Sequence, residues 1–300
     1  MKLRYILLPF VIAMAAACGG GEMPGPTGPG PLVTPLPDPG PVVTNTPPVI
    51  GRFTVQGTRS NEPPNFADAS EDLPISVDVT DAESQINDLK FNWSADGGTF
   101  SGTGRSVTWK APATVSGPRD ITINLEVVET YTSQGKSVEN KVTGSVTLSL
   151  HDSVKEVGDM ALLFIQDFSN SSIGVSEVMR NFQPDCYGTE EERGQVADNR
   201  QNFRINSSTV SLSSTIVNFG GTCPFRGKRG DACSRVRARW ESTVLRDVGD
   251  LRAGQTTVAT GVDQVAAFYY RDQKRWKLCD SQFDPDSTSV RAAQIRGLVP

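Results

Sequence analysis

Hydrophobic residues in this chain change their spacing partway along it. From Val49 to Asp152 they alternate with polar ones, as in Ile75, Val77 and Val79, in Leu89, Phe91 and Trp93, and in Ile121, Ile123, Leu125 and Val127. Phe53 and Val55, with Ile50, mark an earlier segment of the same kind, and Val107 with Trp109 and then Val142, Val146, Leu148 and Leu150 mark later ones. A period of two buries one face of an extended segment, so each of these reads as a strand. Asp96-Gly97-Gly98, Ser101-Gly102-Thr103-Gly104, Ser116-Gly117-Pro118 and Ser133-Gln134-Gly135 separate them as turns. Six or seven short strands with no helical stretch among them predict a β-sandwich.

After His151 the period shifts towards helix. Leu162, Leu163, Ile165 and Phe168 cluster, and Val175, Val178, Met179 and Phe182 recur at i, i+3, i+4 and i+7. Thr189 with Glu192 three residues on predicts a capping box that opens a further helix running to about Phe203. Strands return with Val210 and Leu212, then with Val236, Ala238 and Trp240 alternating with Arg235, Arg237 and Arg239. Val265–Tyr270 and Trp276–Cys279 form a hairpin around Arg271-Asp272-Gln273-Lys274. Helices followed by long antiparallel strands predict an α+β unit in which helices cover one face of a curved sheet.

Neither unit reaches the N-terminus. Lys2 and Arg4 precede a mostly apolar run from Tyr5 to Ala17, which is shorter than the roughly 20 residues a membrane-spanning helix needs. It fits a signal-peptide core, and Ala15-Ala16-Ala17-Cys18 followed by Gly19 resembles the lipobox of bacterial lipoproteins. That resemblance implies cleavage before Cys18, lipidation of that cysteine as the first residue of the mature chain, and, with Gly19 rather than Asp next, the outer membrane. Several acyl chains anchor stably where one is marginal. Ten of the twenty prolines fall between Glu22 and Pro48. Such a tract prefers extended polyproline II, so it reads as a tether able to hold the next domain up to roughly 80 Å from the bilayer.

Two further resemblances refine the folded part. Val79-Thr80-Asp81-Ala82-Glu83, the run from Phe91 to Phe100 and Trp109-Lys110-Ala111-Pro112 look like the Ig-like and PKD-like modules of bacterial surface proteins, which implies a tryptophan of the third strand packed across the core. The element order from about Ala161 to Phe283, with its final hairpin ending in Trp276-Lys277-Leu278, resembles the NTF2-like cone. The expected organisation is a signal peptide over 1–17, a lipidated cysteine and tether over 18–48, a sandwich over 49–152, an α+β NTF2-like domain over 155–285 and a tail over 286–300.

Composition and charge narrow the function. With 37% hydrophobic and 21% charged residues the chain is neither a polytopic membrane protein nor wholly disordered. A net charge of −5 offers no general attraction to nucleic acid. Residues 19–154 hold 8 basic and 16 acidic side chains, a net of −8, which suits a soluble spacer. The even set Cys186, Cys223, Cys233 and Cys279 in an exported chain suggests two disulfides among three pairings. Cys223 and Cys233 bracket a turn-rich segment that a bridge would close, leaving Cys186 with Cys279. No Cys-x-x-Cys pair supports zinc, and Asp78, Asp81 and Glu83 read as a turn and a solvated strand face rather than calcium ligands.

One histidine, His151, argues against His-based chemistry, and a Ser-His-Asp triad, a P-loop and a dinucleotide fingerprint are not apparent. Arg226, Lys228, Arg229, Arg235, Arg237 and Arg239 form a basic stretch, and the last three share one strand face, which suits an anionic surface. Asp263, Tyr269 and Tyr270 lie on a predicted strand within reach of a pocket, and are the candidates for lining one. The expectation is a non-enzymatic, lipid-anchored envelope or surface protein, needing no cofactor or metal, whose sandwich presents a disulfide-stapled head to a protein, glycan or small hydrophobic ligand. The alternative is an NTF2-like isomerase, dehydratase or hydrolase with a small hydrophobic substrate in the cone.

Overall fold

The computed structural model describes residues 40–224 and 227–286. Eight strands build the first unit: β1 (Val49–Val55), β2 (Phe66–Asp68), β3 (Asp72–Thr80), β4 (Lys90–Ala95), β5 (Thr99–Ser101), β6 (Ser106–Lys110), β7 (Arg119–Ser133) and β8 (Lys136–His151). They form two four-stranded sheets, β1-β3-β6-β5 and β2-β8-β7-β4, antiparallel throughout except where β2 pairs parallel to the end of β8. The alternation seen in the sequence faces inward as it must. Leu73, Ile75, Val77 and Val79 of β3 and Ile121, Ile123, Leu125 and Val127 of β7 are all buried.

Trp109, rather than the third-strand tryptophan that the resemblance implies, is the fully buried indole. Its Nε1 donates to Gly97 O at 3.0 Å, while Trp93 is only partly buried. Gly98 explains the Asp-Gly-Gly turn: its φ is +76°, and a Cβ there would lie 2.4 Å from Lys110 O and 2.5 Å from the Trp109 Nε1. The Gln134-Gly135 pair has φ of 52° and 71°, the two left-handed positions that join twisted strands in a tight hairpin. Residues 40–48, the last of the proline-rich tract, lie along this unit: Asn45 donates to Glu129 and Thr46 to Glu83.

The second unit contains α1 (Ser153–Ser169), α2 (Val175–Val178), α3 (Thr189–Asn202) and the strands β9 (Phe203–Val217), β10 (Ala232–Val244), β11 (Thr256–Tyr270) and β12 (Arg275–Pro285). The strands pair antiparallel in the order β12-β11-β10-β9 and curl into a half-barrel. Helix α1 buries Val157, Ala161, Phe164, Ile165 and Phe168 against the concave side. Phe168 and Phe283 flank Trp240 at ring-centroid distances of 5.6 and 5.1 Å, and the Trp240 indole N–H donates to Ser169 Oγ at 2.7 Å. Side chains therefore fill that side of the sheet. Disulfides join Cys186 to Cys279 and Cys223 to Cys233, with Cα separations of 5.3 and 5.5 Å.

Two local expectations fail. The apolar repeat from Val175 to Phe182 makes only a four-residue helix, because the chain then turns to form a bridge between Phe182 and Leu278 on β12. The capping box at Thr189 does not form either. Gly188 is the N-cap, and the Thr189 hydroxyl donates to Gln183 O, while Ser281 on β12 donates to Glu192 at 2.8 Å. In both places a tertiary partner displaces the local one. No helix among the described residues is long and apolar enough to cross a membrane.

Candidate functional site at the junction of the two units

Strand β8 ends at His151 and α1 begins at Ser153, so a single residue, Asp152, joins the units. Alternation along β8 puts Ser149 and His151 on one face. Asp152 caps α1, accepting from Lys155 N, and Glu156 in the first turn reaches back to accept from Asp152 N at 3.0 Å. The same carboxylate meets His151 Nδ1 at 3.0 Å, and His151 Nε2 lies 2.9 Å from Ser149 Oγ. A carboxylate oxygen accepts from a ring N–H, so in the neutral imidazole this geometry assigns the proton to Nδ1 and leaves Nε2 to accept from the serine hydroxyl. Tyr269 of β11 completes the chain, its hydroxyl 3.4 Å from Ser149 Oγ and 3.3 Å from His151 Nε2. Burial pushes the Tyr269 hydroxyl above its ordinary pKa, so it stays a donor.

Aromatic packing fixes these groups. Phe66 of β2 stacks on the His151 ring at 5.0 Å and 6° and meets Phe219 and Tyr269 edge to face. Arg59 stands over Phe66 and Phe219 and pairs with Glu62, Asp68 and Glu71. Burial opposes the charge of Arg59, yet the hydrogen bonds it donates to Glu62 and Asp68, with their negative charges, outweigh this and raise its pKa. Asp68 in turn accepts from Ser153 N at the start of α1 at 2.8 Å. On the outer side a cleft of about 340 Å³ opens onto Ser149 and Tyr269, with Pro63, Pro64 and Phe66 as apolar wall, Asn65 and Thr147 as polar wall, and Arg271 and Lys274 at its rim. Lys274 is held by Asp120 of β7 at 2.8 Å.

The residues singled out by sequence are spread more widely. Arg235, Arg237 and Arg239 do share the outer face of β10. Arg237 pairs with Asp286 at 2.6 Å and Lys228 with the buried Asp280 at 2.6 Å, so these two members of the basic stretch are neutralised. The Arg229 carbonyl accepts from Tyr187, whose hydroxyl burial pushes up to about 12. Arg226 and Cys18 lie outside the described residues. Asp263 is wholly buried within the second unit, Tyr269 faces the junction cleft and Tyr270 is half-buried beside it in sequence, so the three do not gather in one pocket. Asp81 accepts from the backbone of Glu83 and Ser84, which makes it a turn residue.

A count of one histidine argues against His-based chemistry and so does not reveal the grouping of Ser149, His151 and Glu156. The available signal was a serine two residues before it on one strand and an acid in the opening turn of the next helix. No family model matches the chain, and no curated protein matches it.

Proposed function

We propose that this is an exported, lipid-anchored envelope protein in which the sandwich and the α+β head act as one rigid binding unit at the end of a proline-rich tether. In the finer reading the sandwich is Ig/PKD-like and the head is NTF2-like, supported by the paired four-stranded sheets and by helices lying in the concave side of a curled sheet. Cys18, acylated, would hold the chain at a membrane, by the lipobox resemblance the outer one. The ligand, a protein, glycan or small molecule, would meet the junction cleft and the surfaces beside it.

One observation carries the reading of sandwich and head as one unit: Phe66, from the sandwich, belongs to the same buried cluster as the aromatic residues of the head. A spacer that merely held the head away from the membrane would need no such shared core. The filling of the concave side by Phe168, Trp240, Trp276 and Phe283 argues against a substrate within the cone. Replacing Cys18 with Ser should move the protein from the membrane to the soluble fraction after cell lysis. Retention in the membrane fraction would refute the anchor.

A further inference from the structure

We propose that Ser149 is a nucleophile, activated by His151 and held in register by Glu156, that accepts the acyl group of a small carboxylic ester bound in the junction cleft. The inference goes beyond the anchored binding unit and does not depend on the anchor.

Three requirements of such chemistry are met by separate observations. A serine needs an adjacent base, and that base needs a third group to fix its tautomer. Ser149 Oγ lies 2.9 Å from His151 Nε2, and Glu156 takes Nδ1 at 3.0 Å while anchored by its own bond to Asp152 N. The imidazole cannot swing away, because it is wholly buried and stacked on Phe66. The nucleophile needs access, and Ser149 lines the cleft while His151 lies behind it. A developing oxyanion needs a donor beside the nucleophile, and the Tyr269 hydroxyl, which lines the same cleft 3.4 Å from Ser149 Oγ, is the group we assign to it. These are the roles by which such sites are recognised, independent of sequence order.

The cleft limits the substrate. About 340 Å³ lies at the small end of ligand sites. The wall of Pro63, Pro64 and Phe66 suits a short apolar acyl group, and Arg271 at the rim suits a polar or anionic alcohol portion. In the first half-reaction the Ser149 Oγ–carbon bond forms while the hydroxyl proton passes to His151 Nε2. The ester C–O bond then breaks, and the departing oxygen takes that proton and leaves as the alcohol. Water next gives a proton to Nε2 and its oxygen to the acyl carbon. The carboxylic acid leaves and Ser149 regains its proton, so no oxidant or metal enters the balance.

The test uses the full mature chain, and its Cys18→Ser form as a soluble equivalent, with a fluorophosphonate probe and p-nitrophenyl acetate or butyrate. Covalent labelling should map to Ser149, and Ser149→Ala should abolish the label and reduce ester hydrolysis at least about 100-fold. Ser149→Ala is a small change, and an unaltered melting temperature would show that the fold survives. Glu156→Gln should lower kcat more than KM and displace the rising limb of the pH–rate profile, which a merely structural loss would not do. An unlabelled Ser149 in folded protein, or equal hydrolysis by wild type and Ser149→Ala, would overturn the proposal. Either result is independent of where Cys18→Ser fractionates, so failure of the anchor and failure of the nucleophile are told apart.

Discussion

Glu129 shows how a single charged residue is accommodated inside the sandwich. It is 1% exposed on β7, where burial alone would raise its pKa. Asn45 and Ser84 donate to Oε1 at 2.8 and 2.5 Å and Asn140 donates to Oε2 at 3.1 Å, and together they hold the carboxyl below the usual carboxylate range. A carboxylate whose folded pKa is depressed contributes stability that is fully present above its unfolded value of about 4.3 and is lost as pH falls through the folded value. Glu129→Gln should therefore cost about 2 kcal/mol near neutrality, since hydrogen bonds to a charged group are lost. Denaturant titrations at falling pH should show that difference shrinking below about pH 4. A gap between variant and wild type that stays constant down to strongly acidic pH would contradict this account. Nothing in the alternation of β7 marks Glu129 as buried, because its partners come from residues 45, 84 and 140. The relay at His151 was hidden for a related reason: composition records one histidine, whereas its chemistry depends on which strand face and which helix turn meet it.

Elements were most legible where burial is periodic over many residues. Strands β3, β7 and β10 follow the alternation of their sequences, and Arg235, Arg237 and Arg239 fall on one face as the spacing requires. Short elements were not. Strand β2 is three residues long after two prolines, and its pairing with β8 is parallel and distant in sequence. The apolar spacing from Val175 to Phe182 suits a helix, yet the packing of Phe182 against Phe164 and its bridge to Leu278 take it elsewhere. Trp240 tests the packing of the head directly. Its indole is fully buried between Phe168 and Phe283, with its N–H satisfied by Ser169. Trp240→Ala should destabilise by about 3–5 kcal/mol and lower Tm by roughly 10 °C. It should also open a dry apolar cavity that small aromatic molecules restabilise, read as a rise in Tm on adding benzene or indole. A wild-type protein that showed the same rise would mean that the concave side is already hollow.

At the scale of the whole molecule, the two units could be separated by sequence but their fusion could not. The pattern change near His151 marks a boundary, and a boundary ordinarily suggests a linker. Here the connection is Asp152 alone, and Phe66 crosses it to share a cluster with Phe219, Tyr269 and Trp276. The Lys274 and Asp120 pair also crosses, but both side chains are about half exposed, and such pairs are worth about 0–1 kcal/mol. The apolar contact therefore dominates the coupling. Calorimetry of the disulfide-intact protein should give one cooperative transition for wild type and for Lys274→Ala. Phe66→Ala removes a fully buried ring at a cost of about 3–5 kcal/mol, and with it the edge-to-face contacts to Phe219 and Tyr269 that tie the sandwich to the core of the head. It should split the single transition into two, with the sandwich keeping its melting temperature more closely than the head, whose core loses the ring. Two separate transitions in wild type would show that sandwich and head unfold independently, and the junction would then be a contact surface without energetic coupling.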